Sequence, residues 1–164
     1  MPTYCRTPAS SRSVDNILLT LSVHATICQY EGLPFRYPGN KYTWKHFCDM
    51  SDARVLAEQQ IWAAVFDVGF VAYEESDEKF DWLGMMKGKG KMWDEIVEKY
   101  ELLETKMEDI TCFEALNVVL NFRFQHVCSM IKSREFEFLG YADTLKSIQM
   151  WVGRLRAMKM IPRR

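Results

Sequence analysis

The stretch Leu33-Pro34-Phe35-Arg36-Tyr37-Pro38-Gly39-Asn40-Lys41 decides how the chain is read. Its two prolines fix φ and withhold N–H donors, and Gly32 and Gly39 bound it. The spacing predicts an extended segment with a short strand at Phe35 to Tyr37, ending in a turn. On the N-terminal side, Ser13 to Tyr30 spaces Ile17, Leu18, Leu21, Ala25 and Cys28 at the period of an amphipathic helix, which Gly32 stops. On the C-terminal side, Trp44 to Met50 reads as a second short strand. Asp49 or Ser51 then caps a helix over Asp52 to Val65 that buries Val55, Leu56, Ile61 and Trp62.

Further along, Phe66 to Tyr73 has the β-rich run of a strand leading into the acidic loop Glu74 to Glu78. Trp82 to Lys99 reads as helix with a defect at Gly88-Lys89-Gly90, and Trp93, Ile96, Val97 and Tyr100 give its second half an apolar face. Thr105-Lys106-Met107-Glu108 has the form of a capping box for a helix running on through Leu116 and Leu120. A last helix over Asp143 to Met158 carries Leu145, Ile148, Val152 and Leu155 on one face. The expected class is α/β, mainly helical with a few short strands, without internal repeats.

A chain of 164 residues with 48% hydrophobic side chains suits one compact unit. A formal charge of -1 supplies no global field for nucleic acid or an anionic membrane, so small neutral partners are expected. Arg154, Arg156, Lys159, Arg163 and Arg164 suit the negative end of a helix dipole better than a basic binding tail. Met1 to Ser13 has no apolar run of signal-peptide length, and His24, Gln29 and Glu31 interrupt the longest apolar stretch; the expectation is a cytoplasmic protein that does not enter a membrane. The five cysteines form no Cys-x-x-Cys pair, and His24, His46 and His126 have no metal-ligand spacing. The cysteines read as reduced thiols, the histidines as packing or hydrogen-bonding residues, and no metal site is expected.

No self-contained chemistry emerges from the motifs. The cluster Gly84-Met85-Met86-Lys87-Gly88-Lys89-Gly90-Lys91 fits neither dinucleotide nor P-loop spacing and falls inside a helical stretch. Tyr37 and Lys41 have the Tyr-x-x-x-Lys spacing that lets one helical face present a phenol and an ammonium together, but Pro38 and Gly39 deny them that helix. No Gly-x-Ser-x-Gly elbow occurs, and Glu74-Glu75 and Asp94-Glu95 read as solvated charge. Trp82, Met85, Met86, Met92 and Trp93 read as core, with an apolar cavity as the alternative. No residue is assigned as catalytic.

A resemblance carries the reading further. The opening stretch, with Phe47-Cys48-Asp49-Met50-Ser51-Asp52 and Ala57-Glu58-Gln59-Gln60-Ile61-Trp62-Ala63-Ala64, resembles the plant progesterone 5β-reductase/iridoid synthase-like reductases. Met85-Met86-Lys87, Trp93-Asp94-Glu95-Ile96-Val97, Thr105-Lys106-Met107-Glu108, Ser129-Met130, Lys132-Ser133 and Phe138-Leu139-Gly140 follow in the family's order. The resemblance covers residues 9–164 and leaves 1–8 unmatched. It implies the C-terminal, substrate-side lobe of a Rossmann-type extended short-chain dehydrogenase/reductase, with most of the Rossmann core missing. In that family NADPH delivers hydride to the β-carbon of a small apolar enone while a tyrosine, with a nearby lysine, stabilises the enolate oxygen. Both groups and the glycine fingerprint precede the matched region.

The resemblance also implies an internal deletion between 65 and 66, where the family carries roughly thirty more residues, about one strand and one helix. Ser13 and Val14 correspond to a loop that touches the cofactor, a role compatible with Ser13 as a helix cap. Phe113, Leu116 and Phe122 correspond to the substrate wall, which is bulkier in steroid-active members. The expected function is therefore a fragment of an NADPH-dependent enone reductase, inactive alone. The alternatives are a non-catalytic module pairing with itself or a full-length relative, and an unstable product of a truncated gene.

Overall fold

A computed structural model describes residues 15–45, 59–73, 80–124, 134–137, 140 and 144–163. The first helix, α1 (Asp15–Glu31), is the hub of the fold. Every residue from Thr20 to Cys28 is buried, which corrects the amphipathic reading. Neighbours explain this: α3 (Gln59–Phe66), α5 (Gly90–Lys99), α6 (Met107–Ile110), α7 (Phe113–Leu120) and α8 (Thr144–Ala157) all pack against it. In so enclosed a helix the hydroxyl side chains find their partners internally. Ser22 Oγ donates to Leu18 O and Thr26 Oγ1 to Ser22 O, both at 2.8 Å, while Thr20 Oγ1 accepts the Cys112 N–H at 3.0 Å.

Four helices end the same way. Gly32, Asp67, Glu101 and Lys159 have φ of 69°, 54°, 49° and 57° after α1, α3, α5 and α8. The next N–H of each, on Leu33, Val68, Leu102 and Met160, bonds five residues back to Cys28, Ala63, Val97 and Leu155 at 2.9 to 3.0 Å. This left-handed closure recovers carbonyls that the helix end would otherwise strand. Only α1 uses the glycine legible in the sequence.

The expected strand at Phe35 is present as β1 (Phe35–Arg36), paired in parallel with β2 (Phe70–Val71) in the register Phe35 to Phe70 and Arg36 to Val71. Phe66, expected in the second strand, instead completes α3, so the Val65–Phe66 bond lies inside a helix. Trp44 and Lys45, expected as strand, belong to α2 (Lys41–Lys45). The reason is Asn40: its Oδ1 accepts the N–H groups of Tyr42 at 2.9 Å and Thr43 at 3.1 Å, so it caps a helix where β-rich composition suggested a strand. The rest of that strand and the expected helix over 52–58 lie outside the described residues.

The defect at Gly88 separates α4 (Trp82–Lys87) from α5, as anticipated. The capping box does not form: Thr105 Oγ1 donates to Leu103 O at 3.2 Å, and Lys106 occupies the cap position without a side-chain capping bond. The single helix expected beyond it is split at Thr111, which is extended with ψ 157°, because α1's Thr20 holds the Cys112 N–H. The core is centred on Trp62, Trp82 and Trp93, and α8 adds Ile148, Val152 and Leu155. The mainly helical character and short strands fit the expected α/β class. Among the described residues no helix is long and apolar enough to cross a membrane.

Candidate functional site

Tyr37 and Lys41 are not presented together. Tyr37 is buried in extended backbone, its hydroxyl donating to Thr43 Oγ1 at 2.7 Å, and Lys41 opens α2. Thr43 in turn donates to Leu120 O, and Asn40 Nδ2 donates to Phe122 O at 3.2 Å, tying this turn to the end of α7. Gly39 is required here, because a Cβ would stand 2.6 Å from the Tyr37 ring and 2.8 Å from Leu120 O. The tyrosine is a structural strut.

Two concavities stand out. One is an open groove of about 740 Å³ between α5 and α6, edged by Asp94, Glu98, Glu101, Glu104 and Asp109. Its Lys106 ammonium reaches both Asp94 carboxylate oxygens at 2.9 Å, and that hydrogen bond raises the lysine pKa above its ordinary value. Exposed charge of this kind is readily solvated and contributes little.

The other, a hollow of about 230 Å³, lies between α1, the β1/β2 pair and α4. His24, Ile27, Cys28 and Glu31 of α1 form one wall; Arg36 and Val71 of the two strands, with Phe80 and Met85, form the other. Exposed Leu33 and Pro34 edge its mouth. The Arg36 guanidinium lies 4.5 Å from the Phe80 ring centroid, and the Lys89 ammonium pairs with the Glu31 carboxylate. Burial, then the Glu31 carboxylate, pushes the Cys28 thiol up to about 12, against a smaller opposing effect of Lys89. That thiol is a weak nucleophile.

His24 is the unusual member. Its ring lies 4.7 Å from that of Phe35 and 5.6 Å from that of Trp82, and among the described residues neither Nδ1 nor Nε2 has a hydrogen-bond partner. Burial holds the imidazole at about 3, so it is neutral over the ordinary pH range. The sequence reading gave His24 a packing or hydrogen-bonding role, of which only the packing is present. The available signal was its position as the sole histidine in a helix without another charged or titrating group from Ile17 to Ile27.

The residues singled out for ligands lie elsewhere. Phe113 and Leu116 face the core from α7, Phe113 meeting Trp82 edge-on at 5.5 Å. Phe122, half-buried beyond α7, stacks on Phe124 at 4.9 Å. None of the three lines either concavity. Ser13 and Val14 lie outside the described residues.

Neither Gly84 nor Gly90 fits a nucleotide phosphate. At the start of α4 the Asp81 carboxylate stands over Gly84 and accepts its N–H at 2.8 Å. At the start of α5 a Cβ on Gly90 would meet Glu108 Oε1 at 2.8 Å. Both helix starts therefore hold carboxylates where a phosphate would need to approach.

No family model matches the chain. It is 35% identical over 186 residues to the (S)-8-oxocitronellyl enol synthase CYC1 of Camptotheca acuminata, covering 93% of this chain and 48% of that protein. The 3-oxo-Delta(4,5)-steroid 5-beta-reductase of Arabidopsis thaliana is 33% identical over 93% of this chain and 46% of its own length. For the (S)-8-oxocitronellyl enol synthase of Catharanthus roseus the identity is 32%, over 92% of this chain and 46% of that protein. The chain thus spans about half the length of the curated relatives it matches. Over that half it is similar to the plant progesterone 5β-reductase/iridoid synthase-like oxidoreductases.

Proposed function

We propose that these 164 residues are the substrate-side portion of an NADPH-dependent enone reductase and do not turn over by themselves. The observation that carries this reading is the mismatch between the two coverages: nearly all of this chain, but about half of each relative, takes part. Carboxylates at the two helix starts that carry glycines, and the engagement of Tyr37 with Thr43, support it from the geometry. The lobe would contribute an apolar wall from α7, Phe113 and Phe122 with Leu116 behind, while Ser13 and Val14 would approach the cofactor. An internal deletion at the Val65–Phe66 bond is part of the proposal. It is supported by alignments that run over 186 residues although only 93% of this 164-residue chain takes part. A cytoplasmic setting and a small apolar enone as the family's substrate complete it.

The test is direct. Purified protein mixed with NADPH and a small enone should neither change NADPH fluorescence nor consume it. Measurable enone-dependent oxidation would refute the reading. A second reading, a non-catalytic module pairing with itself or with a full-length relative, is favoured by exposed Val118, Phe124 and Trp151, with Phe136 83% exposed. Light scattering after size exclusion distinguishes it, since a stable monomer counts against self-pairing.

A further inference from the structure

We infer that the hollow beside His24 is a binding site for a small, neutral, mostly apolar alcohol whose hydroxyl pairs with the imidazole. Three observations converge. The ring lines the hollow while neither nitrogen has a partner among the described residues, and an unpaired polar group buried in a core is costly unless something supplies the missing bond. Apart from Glu31 and Arg36, the remaining lining is largely apolar, with Ile27, Val71, Phe80 and Met85. The charges at its edge are already engaged, Glu31 by Lys89 and Arg36 over Phe80, so an ionic ligand gains no free counter-charge.

Size and chemistry narrow the ligand. A cavity of about 150 Å³ accepts benzene, so about 230 Å³ takes a ring with a short substituent. Neutral imidazole offers one donor and one acceptor. A hydroxyl can donate or accept, so it serves either ring nitrogen, whereas a ketone could only accept. Leu33 and Pro34 at the mouth leave an entry from solvent.

The probe is benzyl alcohol, titrated into the protein while the ring ¹⁵N shifts of His24 are followed. A saturable shift is expected, with toluene, which lacks the hydroxyl, binding at least roughly tenfold more weakly because it leaves the imidazole unpaired. Val71→Phe should fill the hollow and abolish the shift. The inference is overturned if the His24 nitrogens do not move, if toluene binds as tightly as benzyl alcohol, or if a folded Val71→Phe variant binds unchanged. The toluene comparison uses the unaltered protein and so does not depend on how the variant folds. Neither NADPH nor an enone is present, so the result is independent of the reductase reading.

Discussion

His24 ties the stability of the fold to pH through a single ring. In the folded chain burial holds it at about 3, against 6.5 for an unperturbed histidine, so the unfolded chain binds the proton first as pH falls. Its contribution is therefore fully present above pH 6.5 and is lost progressively down to about pH 3. At pH 4.5 the loss amounts to about 3 kcal/mol. Cys28, Glu31 and Arg36 share its hollow and Lys89 lies behind Glu31, so their fields belong to the same balance. Urea unfolding at pH 7.5 and 4.5 should show His24→Phe losing less stability than the parent between the two, and equal losses would contradict the assignment. Gly39 makes a second residue-scale case. Gly39→Ala should cost about 1–3 kcal/mol in the same assay, because the backbone lies against the Tyr37 ring and Leu120 O.

At the scale of elements, the left-handed closures of α3, α5 and α8 can be improved. A side chain at positive φ costs about 1–2 kcal/mol, against roughly 0.5–1 kcal/mol of extra chain entropy for glycine. Asp67→Gly, Glu101→Gly and Lys159→Gly should each gain a few tenths to about 1 kcal/mol. Asp67 should gain least, because aspartate tolerates this conformation. Thermal melts of the single variants should each show an upward shift; additivity is not expected between Glu101→Gly and Lys159→Gly, whose segments are joined by the Leu103 N–H to Lys159 O bond. These closures were illegible in the sequence because Asp67, Glu101 and Lys159 carry no turn signature, whereas Gly32 and Gly88-Lys89-Gly90 announced their breaks. The split between α6 and α7 was equally hidden, since its cause, Thr20, lies 92 residues away. The cap at Asn40 was not read from the sequence, where Trp44 to Met50 suggested a strand. For the candidate site, the spacing of Tyr37 and Lys41 suggested one helix face, Pro38 and Gly39 told against it, and of the two only Lys41 lies in a helix. The hollow beside His24 depends on four separated segments and has no local spelling.

At the scale of the whole molecule, α1 is the element that five others share. Its amides from Thr20 to Cys28 should exchange most slowly in hydrogen-exchange measurements and at rates close to global unfolding. Faster exchange there than in α8 would mean that α1 is not the hub. The clasp between α8 and α3 has a different consequence. Arg156 Nη2 donates to Val65 O at 3.0 Å, and its guanidinium lies 5.3 Å from the Phe66 ring centroid. These partners stand 91 residues apart, so on the ribosome the end of α3 emerges long before the arginine that fastens it. Folding during synthesis can gather α1 and α3, but this latch closes only after α8 has left the exit tunnel, and until then the newborn chain carries an unfastened seam at Val65 and Phe66.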